Sequence, residues 1–250
     1  MVPVLIGPLH WFPSETFGLT LSAVSIVWYA VELRNAFIER RRPSPRLALD
    51  GRSYWLIVAL FYTVVGITYA GRSVEWAIVE GRAQYLGLCL VLLGIALRQW
   101  AILTLGSYWS LRTIVQADHR LVTGGPFRRL RHPAYLGSAL TLVGFPLAMG
   151  TLFGTVLSLL LSVAAFSYRV GIEERLLLAA FGRQYGEYMR RSWRLFPRWG
   201  LRPDPVGWKV ELALELGAWL NNNERAEQPR EQADAAGRSE MDSETNEQLL

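Results

Sequence analysis

Four long apolar runs, each free of Asp, Glu, Lys and Arg, constrain this chain more than any other feature. They are Thr16–Val31 with 16 residues, Ser53–Gly71 with 19, Ala83–Leu97 with 15 and Ala134–Tyr168 with 35. After Arg98 the third run resumes its apolar character as far as Leu105. A hydrocarbon core of about 30 Å takes about 20 helical residues. The last run would be about 52 Å long as one helix at about 1.5 Å per residue, too long for a single span. Met149-Gly150-Thr151 lies at its midpoint, flanked by Pro146 and Gly154. The pattern predicts a tight hairpin of two helices, 134–149 and 152–171. The expected fold is therefore all-α: a polytopic, multi-pass protein of the cell membrane with five transmembrane helices, the fourth and fifth paired as a hairpin.

Arginine placement orients these spans. The connection after the first carries Arg34, Arg40, Arg41, Arg42, Arg46 and Arg52, whereas the one after the second sets Arg72 and Arg82 against Glu75 and Glu80. Arginines return after the third span (Arg112, Arg120, Arg128, Arg129, Arg131) and after the fifth (Arg175, Arg183, Arg190, Arg191, Arg194, Arg198). Basic-rich loops stay in the cytoplasm. The N-terminus is expected outside and the C-terminus inside. The polar segments 106–133 and 169 onward then share the cytoplasmic face, brought together by the hairpin. A site built from both would meet cytosol on one side and lipid on the other.

Charge and composition exclude several functions. Residues 221–250 hold 3 Arg and 8 acidic residues, so the net positive charge of the whole, +5, sits on the apolar body. Cations on such a body fit contact with anionic membrane lipid, not nucleic acid. The lone Cys89 forms no internal disulfide or thiolate cluster. His10, His119 and His132 are dispersed and lack the H-E-x-x-H spacing, so no metal is expected. The segment 201–220, with Trp208, Leu212, Leu216 and Trp219 among charges, reads as an interfacial helix or one packed on the body. From Asn221 the chain is Glu-, Gln- and Asn-rich, a disordered acidic tail. The expected organisation is 1–105 for helices one to three, 106–200 for a binding and catalytic region containing the hairpin 134–171, 201–220 for the interfacial helix and 221–250 for the tail.

Two polar clusters stand out against the apolar body. In the first, Gly124-Gly125-Pro126 forces a turn whose backbone groups can approach a small ligand closely. Arg131-His132-Pro133 then opens the fourth span, with proline where its missing N–H costs nothing, and that helix start favours an anion such as a carboxylate. The bland alternative is a loop whose arginines anchor at headgroups. In the second cluster, Arg169 and Glu173 stand four residues apart on one helix face. Ionisable groups at a membrane boundary are candidate functional groups, and the bland alternative is a surface ion pair worth little. Phe181, Tyr185, Tyr188 and Arg194 follow, either an interface belt or the wall of an amphiphilic pocket.

Together these clusters read H-x-L-V-T-x-G-P-F-x-x-x-R-H-P-x-Y-x-G at 119–137, R-x-x-x-E-E at 169–174, F-G-x-x-Y-x-x-Y at 181–188 and R-x-x-P at 194–197. In that order and spacing they resemble the isoprenylcysteine carboxyl methyltransferase family, close to the phospholipid methyltransferases. The first three spans carry no matching motif. The resemblance implies an S-adenosylmethionine site lined by Gln116, His119, Arg120, Leu121, Val122, Phe127, His132, Pro133, Ala134 and Tyr135, with Glu173 also on the cofactor and Arg169 facing the acceptor carboxylate as the catalytic residue. The implied partner is a lipophilic small molecule or a lipidated acceptor. No G-x-G-x-x-G follows a predicted strand, so a Rossmann-type site is not supported.

A carboxylate acceptor is already a nucleophile, so catalysis would rest on positioning and desolvation. A phenol or thiol would need a base, and the candidates are His119, His132 and Glu174. Two other readings compete. Membrane sterol and steroid reductases, which bind NADPH, show R-H-P-N-Y-x-G-E, where this chain has Ala134 and Ser138 in place of Asn and Glu. A non-enzymatic membrane scaffold is the other.

Overall fold

The structure, a computed structural model, describes residues 8–40, 47–50, 52–74, 77–110, 113–115 and 120–195. Every apolar run becomes helix. The first three give α1 (Glu15–Arg40), α2 (Arg52–Ser73) and α3 (Arg82–Leu105), and the fourth gives α4 (Pro133–Ala148) and α5 (Leu152–Arg191). Helices α1, α2, α3 and α5 are long and apolar enough to cross a membrane. Helix α4 has 16 residues, a length of about 24 Å. Large apolar side chains such as Val27, Leu93, Leu103 and Leu160 stand exposed on the outer faces, the arrangement expected of a lipid-facing surface.

The expected all-helical fold stands, with one addition and one corrected boundary. The fold is all-helical except for a two-stranded antiparallel ribbon in the polar connections, β1 (Leu47–Asp50) against β2 (Thr113–Val115), with Leu47 opposite Val115 and Ala48 opposite Ile114. The β-branched run Thr113-Ile114-Val115 suits an extended backbone. The fifth helix also does not stop at Gly171. It runs 40 residues and bends at Gly182, whose φ of 49° is easy only for glycine. No breaker interrupts Gly171–Leu178, and the emerging part buries Leu176, Leu178, Tyr185, Tyr188 and Met189. The motifs at 169–174 and 181–188 therefore ride on one element.

Helices α3 and α4 form the closest pair. Along α3, Gly87, Gly94 and Ala101 recur at every seventh position with Val91 between them, all buried; on α4 the buried small positions are Gly137, Thr141, Gly144 and Ala148. A methyl group added at Gly87 would collide with the Ala148 backbone. Small residues let membrane helices approach to van der Waals contact where the hydrophobic effect offers no drive. The hairpin turn fixes the other end of the pair. Gly150 takes φ 80°, Thr151 Oγ1 accepts from Gly154 N at 3.2 Å, and the turn bonds the α2–α3 connection through Val79 N to Gly150 O (3.0 Å) and Leu152 N to Ala77 O (2.9 Å). Around this frame, Leu60 and Val64 of α2 pack with Leu142, Ala165 and Phe166 of the hairpin. Gln116, His119, the 201–220 segment and the acidic tail lie outside the described residues.

Candidate active site

At the end of the bundle where α4 begins, a cavity of about 400 Å³ lies among all five helices. Its polar end is walled by Leu121, Val122 and Phe127 from the loop before α4, by His132, Ala134 and Tyr135 at the α4 start, and by Arg169 and Glu173 of α5. Its other end runs between α1 and α2, past Trp28, Tyr29, Phe61 and Tyr62, to Leu142 and Phe166. One space thus joins a polar mouth to an apolar channel inside the membrane helices. The size suits a small-molecule site.

Eight of the expected site residues meet there. Pro133 is buried in the first turn of α4 without lining the cavity, and Arg120 is exposed away from it. Tyr135 organises the polar end. Its hydroxyl donates to Glu173 Oε2 at 2.6 Å and accepts from Arg169 Nε at 2.9 Å. The Arg169 guanidinium also lies 5.9 Å from the Tyr135 ring centre, within cation–π range. His132, Tyr135 and Phe166 stack in sequence, with ring centres 5.8 and 5.6 Å apart. Arg169 is buried, and the Glu173 side chain keeps 29% exposure. No side chain caps the start of α4, which leaves its positive end toward Ala134 and Tyr135 on the cavity wall.

The remaining motif residues do a different job. Glu174 Oε1 accepts from Arg131 Nε at 2.8 Å and lies 3.4 Å from His132 Nε2, while Oε2 pairs with Arg194 Nε at 2.9 Å. Arg131 also donates through one NH1 to Met189 O (2.9 Å) and Ser192 O (2.7 Å), closing the C-terminal end of α5. Backbone bonds between Arg131 N and Trp193 O (2.7 Å) and between His132 N and Arg194 O (3.2 Å) join the two motif segments directly. Burial opposes the charge on Glu174, but the contact with His132 and then the guanidinium groups of Arg131 and Arg194 outweigh it and hold the carboxyl at about 2. Both of its oxygens are already engaged by guanidinium groups, so Glu174 serves the junction between the two motif segments. Tyr188 donates to Phe127 O at 2.7 Å, and burial pushes its phenol up to about 12, so it stays a neutral tether for the glycine-rich turn.

Glu32 and Arg98 escaped the sequence reading. Arg98 Nε and NH2 donate to the two oxygens of Glu32 at 2.7 and 2.9 Å, its NH1 donates to Ser138 Oγ at 3.0 Å, and all three residues line the cavity. The signal was present as two opposite charges interrupting or closing apolar runs. An ionisable residue inside a span is a functional candidate by default. Among the described residues no cluster of His, Cys, Asp and Glu is arranged to hold a metal ion.

Comparison with known proteins converges on one family. The isoprenylcysteine carboxyl methyltransferase (ICMT) family model matches residues 86–179. A probable protein-S-isoprenylcysteine O-methyltransferase of Oryza sativa subsp. indica is 28% identical over 177 residues, 68% of this chain and 90% of that protein. Protein-S-isoprenylcysteine O-methyltransferase B of Arabidopsis thaliana is 33% identical over 138 residues, 54% of this chain and 68% of the relative. The Tribolium castaneum protein-S-isoprenylcysteine O-methyltransferase is 36% identical over 189 residues, covering 71% of this chain and 64% of its own length. Among solved structures, the eukaryotic intramembrane Ras methyltransferase ICMT superposes with a TM-score of 0.53 and 27% identity, over 78% of this chain and 69% of that one. With the polar motifs gathered at one cavity and the relatives sharing the membrane helices around it, the chain is a membrane methyltransferase that belongs to the isoprenylcysteine carboxyl methyltransferase family.

Proposed function

We propose that this protein methylates the carboxylate of a lipophilic acceptor, with S-adenosylmethionine as donor, at the cytoplasmic face of the cell membrane. All five helices cross the bilayer in this reading, with the N-terminus outside. The observation that carries it is the Tyr135 hydroxyl held between Glu173 and Arg169, at the junction of the cavity's polar and apolar ends. Two oppositely charged groups, each able to receive a different ligand, flank the place where donor and acceptor would meet.

The residues present fit the cofactor. Glu173 suits an ammonium or ribose hydroxyls, and the uncapped start of α4 with His132 suits a carboxylate. Leu121, Val122 and Phe127 offer apolar walls to the purine, and the family resemblance adds Gln116 and His119 around it. When bound, S-adenosylmethionine supplies a methyl group on a positively charged sulfur. The protein's part is to orient and to exclude water: Arg169 holds the acceptor carboxylate, and Tyr135 fixes Arg169 relative to Glu173. An ionised carboxylate needs no base, in keeping with a Glu174 carboxyl held at about 2. The channel past Trp28, Phe61 and Tyr62 suits an isoprenoid or other lipid tail. The relatives are named for S-isoprenylcysteine, and the acceptor here is a small lipophilic acid or a lipidated protein of that chemical kind.

The test is incubation of membranes bearing the protein with methyl-labelled S-adenosylmethionine, followed by solvent extraction. Label released by mild base is expected, as from a methyl ester. Base-stable label would place the methyl on a phenol or thiol and refute the carboxylate reading. Thermal stabilisation by NADPH instead of S-adenosylhomocysteine would restore the reductase reading.

A further inference from the structure

We infer that the Glu32–Arg98 ion pair, anchored by Ser138, is a positioning element that fixes α1 as the inner wall of the acceptor channel and so sets acceptor affinity without touching the cofactor. The inference rests on the acceptor reading proposed above for the apolar end of the cavity.

The packing of α1 differs along its length. At its start, Phe17 and Leu21 are buried with Phe12 against Ala148 and Met149. In its second half, Ile26, Val27, Tyr29, Leu33, Phe37 and Ile38 are exposed, and the core formed by α2, α4 and α5 takes no residue from α1. Asn35 is the buried residue of this half, Trp28 sits edge-on to Phe61 with ring centres 5.3 Å apart, and a bidentate pair runs from Arg98 to Glu32. Those two hydrogen bonds tie the second half of α1 to α3 across the cavity wall.

Charges in a membrane span are costly and persist where they face protein and find partners. Here the cost is met by a fork geometry, in which two parallel N–H groups meet two carboxylate oxygens, and by the third bond to Ser138 on α4. The Arg98 side chain keeps 12% exposure and Glu32 keeps 22%, and both stand on the channel wall beside Trp28, Tyr29 and Leu33. The pair therefore forms part of the channel wall where α1 meets α3. Loosening it lets the second half of α1 move away from α2 and α3, which widens the channel and reduces its grip on a tail. The polar end, built from α4, α5 and the preceding loop, contains no residue of α1.

The experiment uses the full chain in lipid nanodiscs, with S-farnesyl-3-thiopropionic acid and its geranylgeranyl homologue as acceptors. Acceptor binding and methyl transfer are measured separately, and calorimetry follows S-adenosylhomocysteine. Glu32→Gln is expected to raise acceptor KM about tenfold, the effect of removing one charge-assisted hydrogen bond, with kcat and S-adenosylhomocysteine affinity nearly unchanged. Ser138→Ala, a milder lesion, should move KM in the same direction by less. The double exchange Glu32→Arg with Arg98→Glu should recover part of the loss. An unchanged KM in Glu32→Gln, or a fall in cofactor affinity parallel to the loss of acceptor affinity, would overturn the inference. Unaltered protein that binds S-adenosylhomocysteine yet neither binds nor methylates either acid would instead overturn the acceptor reading, and the inference with it.

Discussion

Tyr135 and Glu173 are joined by a 2.6 Å hydrogen bond that links the first turn of α4 to the middle of α5. The same hydroxyl accepts from Arg169 at 2.9 Å, so a phenol stands between a carboxylate and a guanidinium four residues apart. A helix-surface ion pair of that spacing would be shared with water and worth little. The phenol separates the two charges and gives each a flank on the cavity. Tyr135→Phe is expected to slow methyl transfer more than it weakens cofactor binding, because Glu173 keeps its charge while Arg169 loses the hydrogen bond that sets it relative to Glu173. Steady-state rates and calorimetry on that variant check this, and unchanged turnover would show that the bridge has no part in catalysis.

Glu174 makes stability depend on acidity. Its folded carboxyl sits at about 2, below the ordinary 4.5. A depressed carboxyl contributes stability that is fully present above its unfolded value and is lost as pH falls toward the folded one. The thermal midpoint in detergent is therefore expected to hold near neutrality and to drop between about pH 4.5 and pH 2. Glu174→Gln should lower the neutral midpoint and flatten the acid limb. An equally steep acid limb in the variant would assign the loss to other carboxylates.

The α3–α4 seam predicts a contrast between two glycines. Gly87→Ala forces a methyl into the Ala148 backbone and is expected to cost about 1–3 kcal/mol as overpacking. Gly66→Ala, on α2 with open space around it, should be neutral or stabilising by up to about 1 kcal/mol. Thermal unfolding of both variants decides, and equal losses would mean that the seam is looser than its geometry implies.

Much of this was legible in the sequence because it was written locally. The charge-free runs gave the helices, Met149-Gly150-Thr151 gave the hairpin turn, and the motifs around His132 and Arg169 gave eight residues that meet at one cavity. What stayed hidden depends on pairing between distant segments. Glu32 and Arg98 are 66 residues apart, and neither reveals its partner by spacing. Arg131 and Glu174, 43 residues apart, read as a loop arginine and a candidate base until they meet in the core. The end of the apolar run gives no sign of how far α5 continues, because what sustains it is the packing of Leu178, Tyr185, Tyr188 and Met189 with Leu121 of the distant loop.

The Arg asymmetry between connections predicts topology. A reporter fused after Leu220 should be cytoplasmic, and one inserted at Ala77 should be outside. A cytoplasmic signal at Ala77 would remove a crossing, with α4 the first helix to reconsider because it has only 16 residues.

The most direct test separates the two charges that Tyr135 bridges. Calorimetry with S-adenosylhomocysteine is run on Glu173→Ala and Arg169→Ala, beside methyl-transfer rates for each. Glu173→Ala is expected to weaken cofactor binding by about 1–3 kcal/mol by removing a hydrogen bond to a charged group. Arg169→Ala should leave that binding nearly intact and depress turnover or acceptor affinity instead. Equal, minor losses in both variants would contradict the assignment of separate ligands, and a collapse of cofactor binding in Arg169→Ala alone would reverse the two roles.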